Sequence, residues 1–361
     1  MPKNSFITDS VRTEMCKLLK KRYFLAVIAM VIFAAALSQA ENSSTRIYVS
    51  STGNDATGNG TISAPYQHIR GGLAKLGSNA GDVTIVVSTD TSEGTLKVPA
   101  DKGLTSLTIT TENPRGVQIG GASIFASGVP LTFEKGITVA ADVYGGFYGT
   151  STLRDKQNIS LTINGTATKD VYGGSGIYET LTSLGSSSIN LTFGEDSLVY
   201  GNIYGGGKNA NTGNAEHPIP VNITLNGSVA NSNSSQYNTK THMICGGSYL
   251  LPSTPEPKQQ YGDVNITVKE KAFLANKNQN AVNIIGGGRS VGVNTHNFTL
   301  FGNVNIDIMS ADRDSEIYSV SGGGYIEGSE NPGSSLVSGD ITITSRRSAA
   351  RINGGGRVQG D

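Results

Sequence analysis

The sequence predicts an all-β solenoid, a stack of β-coils each too small to fold alone. Three observations carry this expectation. Glycine supplies 47 of the 361 residues, about 13% against a usual ~7%, while charged residues make up only 16%. A glycine pair recurs seven times behind a common apolar residue. Between those pairs, short strands alternate apolar and polar residues with period two. Eleven prolines without a Gly-X-Y period exclude collagen, and 37% hydrophobic residues in ordered alternation exclude a disordered chain. A net charge of zero offers no basic excess for phosphate backbones, so nucleic acid is not an expected partner.

The N-terminal element reads as a secretory signal over residues 1–40. Lys17, Lys20, Lys21 and Arg22 precede a largely apolar run from Tyr23 to Leu37, which ends at Ser38-Gln39-Ala40. A cationic start, an apolar centre and small residues before the cut define such a signal, with cleavage expected between Ala40 and Glu41. The apolar run falls short of the ~20 residues of a spanning helix, so no membrane span is expected in the mature chain. Met15 would give a more compact signal than Met1. Loss of residues 1–40 takes six basic and two acidic groups from a neutral chain, leaving a mildly acidic remainder. Cys16 leaves with it, so Cys245 stands alone and no intramolecular disulfide can staple the exported protein.

Residues 41–141 are expected to hold a cap and the first coils, with strands at Val83 to Val87, Leu107 to Ile109, Leu131 to Phe133 and Ile137 to Val139. The segment Arg46-Ile-Tyr-Val-Ser-Ser-Thr-Gly-Asn-Asp55, then Gly60-Thr-Ile-Ser-Ala-Pro-Tyr66, a short helix from Ile69 to Leu76 and the strand Gly81-Asp-Val-Thr-Ile-Val-Val87 follow in that order. This resembles the opening of right-handed parallel β-helix proteins of the pectin lyase-like superfamily. The resemblance implies a right-handed parallel β-helix whose first coils are capped by the short helix. It implies little about activity, because that scaffold carries lyases, hydrolases, tailspikes and adhesins.

Residues 142–361 are expected to be the glycine-rich repeat solenoid. The seven glycine pairs begin at Gly145, Gly173, Gly205, Gly246, Gly286, Gly322 and Gly354, at spacings that vary as loops of unequal length would make them. Two places before each lies Val143, Val171, Ile203, Ile244, Ile284, Val320 or Ile352, a β-branched column predicted to line the interior. One place before lie Tyr, Tyr, Tyr, Cys, Ile, Ser and Asn, predicted mostly to face out. The glycines themselves suit either a positive-φ bend or a close approach of coils. A second strand recurs as Ile159-Ser-Leu-Thr-Ile163, Ile189-Asn-Leu-Thr-Phe193, Val221-Asn-Ile-Thr-Leu225, Val264-Asn-Ile-Thr-Val268 and Val304-Asn-Ile-Asp-Ile308, with Asn and Thr outward. Such a unit cannot bury its own apolar face and must stack on a neighbour. A propeller ranks lower, because each blade needs four strands and most repeats show two. These coils look like the passenger domains of autotransporter adhesins. The membrane barrel that ends such proteins has no counterpart before Asp361, so the expectation is a fragment, or a last coil that docks on a partner or on a second copy.

Chemistry is sparse. Asp142, Asp170 and Asn202 occupy one position of three successive repeats, where two carboxylates could share Ca²⁺ or raise one pKa. The plainer reading is a turn-favouring Asp or Asn before a bend. Asp312-Arg-Asp314 is a second acidic spot, read as loop solvation. His68, His217, His242 and His296 have no second ligand at helical spacing, which argues against zinc. Cys245 lacks a local His partner and reads as a structural thiol. Tyr144, Tyr172 and Tyr204 form a column read either as a sugar-binding platform or as coil-to-coil packing. The functional expectation is therefore an exported bacterial surface or secreted protein, structural or adhesive, presenting a polar face to an extracellular glycan or protein. A polysaccharide lyase or hydrolase is the alternative.

Overall fold

The computed structural model describes residues 44–176, 180–229, 242–251, 256–274, 282–291, 297–309, 317–327, 334–346, 349 and 351–359. The signal segment with Ala40, Glu41 and Cys16, the Asp312-Arg-Asp314 spot and His296 lie outside these residues. From Thr45 onward the chain forms one unit of parallel strands in stacked sheets, an arrangement consistent with a β-solenoid.

The first sheet has ten strands that neighbour one another in chain order: Thr45–Val49, Gly81–Val87, Leu104–Thr110, Leu131–Phe133, Ile159–Ile163, Ile189–Phe193, Val221–Leu225, Val264–Val268, Val304–Ile308 and Ile341–Ser345. Like falls on like in this register: Ile189, Val221, Val264 and Val304 are successive partners, as are Leu191, Ile223, Ile266 and Ile306. Those side chains point into one continuous apolar core that runs from Ile47 to Val320. On the opposite face, Thr84, Thr108, Thr132, Thr162, Thr192, Thr224 and Thr267 stand in register. Beside them Asn190, Asn222, Asn265 and Asn305 form an amide ladder with bonds of 2.9, 2.9 and 3.0 Å.

The strand Ile137–Tyr144 is long enough to feed two ribbons of the second sheet. Its Thr138–Val139 half pairs with Thr166–Ala167, and its Val143–Tyr144 half with Val171–Tyr172. The second ribbon continues through Ile203–Tyr204, His242–Cys245, Val282–Ile285, Ile317–Ser321 and Arg351–Asn353. A third sheet runs from Ser151–Leu153 to Ser335–Val337. A fourth, absent from the two-strand reading of each repeat, comprises Tyr249–Leu250, Arg289–Val291, Tyr325–Glu327 and Arg357–Gln359. Every pairing between these strands is parallel, which a propeller blade would not give. The short helix is present at Ile69–Ala74, with Ile69 and Leu73 buried in the core beside the first strand.

Six members of the predicted interior column, Val143, Val171, Ile203, Ile244, Ile284 and Val320, are fully buried. The seventh departs from expectation: Ile352 is 53% exposed, since it sits on the last described strand of its ribbon and no described coil covers it. The repeat glycines also resolve to one of their two proposed reasons. None of Gly145, Gly173, Gly205, Gly246 or Gly286 has a positive φ. Gly246 instead lies under Gly286, where a Cβ would stand 2.4 Å from the Gly286 carbonyl oxygen and 2.1 Å from Val264 Cγ1. Coil contact, not backbone handedness, demands glycine there.

Candidate functional site

The predicted tyrosine and aspartate residues do converge, on the side of the second sheet that faces away from the apolar core. Alternation along the strand turns Val143 inward, so Asp142 and Tyr144 project from the other face, and the parallel register repeats this at Asp170 and Tyr172, then at Asn202 and Tyr204. The rings form a stack, with centroids 4.5 Å apart for Phe125–Tyr144, 4.6 Å for Tyr144–Tyr172 and 5.0 Å for Tyr172–Tyr204.

The expectation that these rings face outward is corrected. Tyr144 is 2% exposed and Tyr172 and Tyr204 are fully buried, in a second apolar cluster with Met243, Cys245, Ile285 and Tyr325. The cover is built coil by coil: Phe125 and Tyr172 stack on Tyr144, the Lys208 ammonium lies over the Tyr172 ring, and Tyr204 is covered by the fourth sheet. Its Tyr249 stacks 5.1 Å from Tyr204, and Arg289 donates to the Tyr204 hydroxyl at 3.0 Å and to Glu327 Oε2 at 3.0 Å. A sugar ring has no access to the faces of this stack, and coil-to-coil packing is what the tyrosines provide. Burial pushes the Tyr172 and Tyr204 phenols well above their ordinary range, so they stay neutral.

The aspartates sit at the rim of the cluster and have protein partners. Asp170 accepts from the Tyr172 hydroxyl at 3.1 Å, from the Asn202 backbone N–H at 2.8 Å and from Asn202 Nδ2 at 3.0 Å. Asn202 Oδ1 in turn accepts the Met243 N–H at 3.0 Å. The same staple, a side-chain oxygen taking an N–H of the following coil, recurs at Asp155 to Ser186, Asn158 to Ser188, Asp263 to Asn303 and Asn303 to Asp340. This gives the Asp/Asn positions a structural reason beyond turn preference. Asp142 meets Lys208 Nζ at 3.4 Å, and that ammonium also lies 5.7 Å from the centre of the Tyr172 ring. Burial raises the Asp142 pKa, Lys208 opposes the rise and Asp170 adds to it. Lys208 thus gives Asp142 a cationic partner, while Asp170 is held by Tyr172 and Asn202. Among the described residues, no three His, Cys, Asp or Glu side chains gather as a metal site.

Cys245 is a free, fully buried thiol pushed up to about 12 by desolvation, against the pull of nearby Arg289, so it is inert at neutral pH. His242 points to the core side, in register with Val282, and is fully buried. Desolvation lowers its pKa below the ordinary 6.5, against a contact with the Gly201 carbonyl. The unfolded chain therefore binds a proton near pH 6.5 that the folded chain does not, and stability falls as pH drops below that value. His242→Val, copying its neighbour Val282, should flatten the loss between pH 7 and pH 5 in denaturant melts. A melt of the variant that loses stability over that window as the parent does would refute this.

The residues missed from sequence are Lys208, Tyr249, Arg289 and Tyr325. Each follows the first glycine of its repeat by three positions, a fixed offset at which a large side chain recurs, and that offset was the available signal. No protein-family model, no curated protein and no solved structure matches the chain.

Proposed function

We propose that the chain is a right-handed parallel β-helix of the pectin lyase-like kind, exported by its N-terminal signal, which acts as a structural or adhesive protein at the cell surface or outside it. Its working part is the outer face of the first sheet, offered to a glycan or to another protein. The observation that supports this is the uncharged strip on that face: threonines in register over seven successive strands, beside an amide ladder of four asparagines. Hydroxyl and amide groups at a repeat of ~4.8 Å offer donors and acceptors to a neutral, hydroxyl-rich partner at no cost in charge desolvation. The tyrosines have no part in this reading.

The test is binding of the purified mature chain to glycan and extracellular-protein arrays, against a double variant Asn222→Lys/Thr224→Lys that puts charge mid-strip. The parent is expected to bind, and the variant to lose at least about tenfold, the cost of a mismatched charge of ~1.4 kcal/mol or more. Equal binding by both would remove the strip from the mechanism, and release of uronate from a pectin panel by the parent would replace adhesion with catalysis.

A further inference from the structure

We infer that Lys208 and Asp142 are placed to join in an intramolecular amide bond, a covalent cross-link that the chain makes in itself. The two side chains face each other at 3.4 Å, and both are largely enclosed, at 18% and 23% exposure. Both backbones are fixed. Asp142 lies within the strand Ile137–Tyr144, flanked in register by Ser123 on one side and followed by Val143, whose N–H bonds to the Asp170 carbonyl at 3.0 Å. Lys208 donates its own N–H to the Ser175 carbonyl at 3.1 Å and bridges to Tyr249. Groups held in this way react as though at very high concentration, with effective molarities on the order of 10⁵ M or more when well oriented.

The surroundings suit the chemistry. The pair borders the stack of Tyr144 and Tyr172, with Lys208 Nζ 5.7 Å from the Tyr172 ring centre, and Asp170, the residue just before the strand Val171–Tyr172, brings a second carboxylate to the neighbouring coil. A proton passes from the Lys208 ammonium to the Asp142 carboxylate, which leaves a neutral amine beside a neutral acid. The amine lone pair then attacks Asp142 Cγ to form the C–N bond. Asp170 takes a proton from the nitrogen and returns it to the departing hydroxyl, and the C–O bond breaks. Carboxylate and ammonium together become one amide and one water, with charge and atoms balanced and no oxidant or cofactor required. The cross-link spans 66 positions and ties two coils together across the one between them. It does not depend on what the outer face binds.

The test is the intact mass of the denatured, purified chain beside a Lys208→Arg variant made in the same way. Arginine keeps the charge next to Asp142 but cannot form this amide. The parent is expected to be lighter by one water than its sequence requires, and Lys208→Arg to have its full mass. Digestion of the parent should yield a branched peptide carrying residues 142 and 208. Asp170→Asn should leave most of the chain unlinked while Lys208 and Asp142 remain in place. A parent at full mass overturns the proposal, as does a water deficit that persists in Lys208→Arg. Full cross-linking in Asp170→Asn would remove Asp170 from the reaction.

Discussion

Replacing Ile203 by aspartate should abolish the cooperative unfolding transition of the repeat region, whereas the same change at Ile352 should shift stability by no more than about 0.5 kcal/mol. The two residues occupy the same position of their repeats, which makes the contrast informative. Ile203 is fully buried between Val171 and Ile244 in register, and its side chain belongs to the continuous core. Truncation to alanine there should cost ~2–5 kcal/mol through lost burial and the cavity left behind. A carboxylate costs more, since its direct neighbours in register are the aliphatic Val171 and Ile244, which offer its charge nothing in place of water. Ile352 already meets solvent, so a charge there displaces little. Denaturant melts followed by far-UV circular dichroism read both. Equal tolerance at the two sites would mean that the aliphatic column is not the inner wall.

The second large effect is expected at the glycine pairs. Gly246→Ala drives a methyl to within 2.4 Å of a backbone oxygen of the next coil, which cannot turn aside as a flexible side chain would. The loss should reach or exceed the ~1–3 kcal/mol typical of overpacking, because the ladder bond from Gly246 N–H to the Ile285 carbonyl at 2.8 Å must stretch too. Gly77→Ala is the control. No atom lies within 4 Å of its added carbon and its φ is not positive, so it should be neutral or stabilising by up to ~1 kcal/mol through the unfolded state. If the two alanine variants melted alike, close coil contact would not be why glycine recurs.

What could be read from the bare sequence was whatever a single repeat encodes locally. The alternation in Val264-Asn-Ile-Thr-Val268 fixes which residues face the core, and the structure places Val264, Ile266 and Val268 there. Val143 and its five buried equivalents were legible for the same reason, as was the helix near Ile69. The fate of Tyr144, Tyr172 and Tyr204 was not legible. A period-two pattern tells only that they oppose Val143, not whether another layer covers that side. For Tyr204 the cover comes from Tyr249 and Arg289, one or more coils away in sequence, on strands of two or three residues too short to show alternation. Lys208 was hidden likewise, since its meeting with Asp142 depends on a separation of 66 residues that no local pattern records.

The asparagine strip has a direction. Asn305 donates to Asn265, Asn265 to Asn222, Asn222 to Asn190, and Asn190 to Ser188 Oγ, so each amide hydrogen points toward the earlier residue. Dipoles lined up head to tail reinforce one another, which makes one end of the row electrically unlike the other. A molecule lying along it would feel that grain and settle with its own head and tail sorted, much as a key enters a keyway one way round.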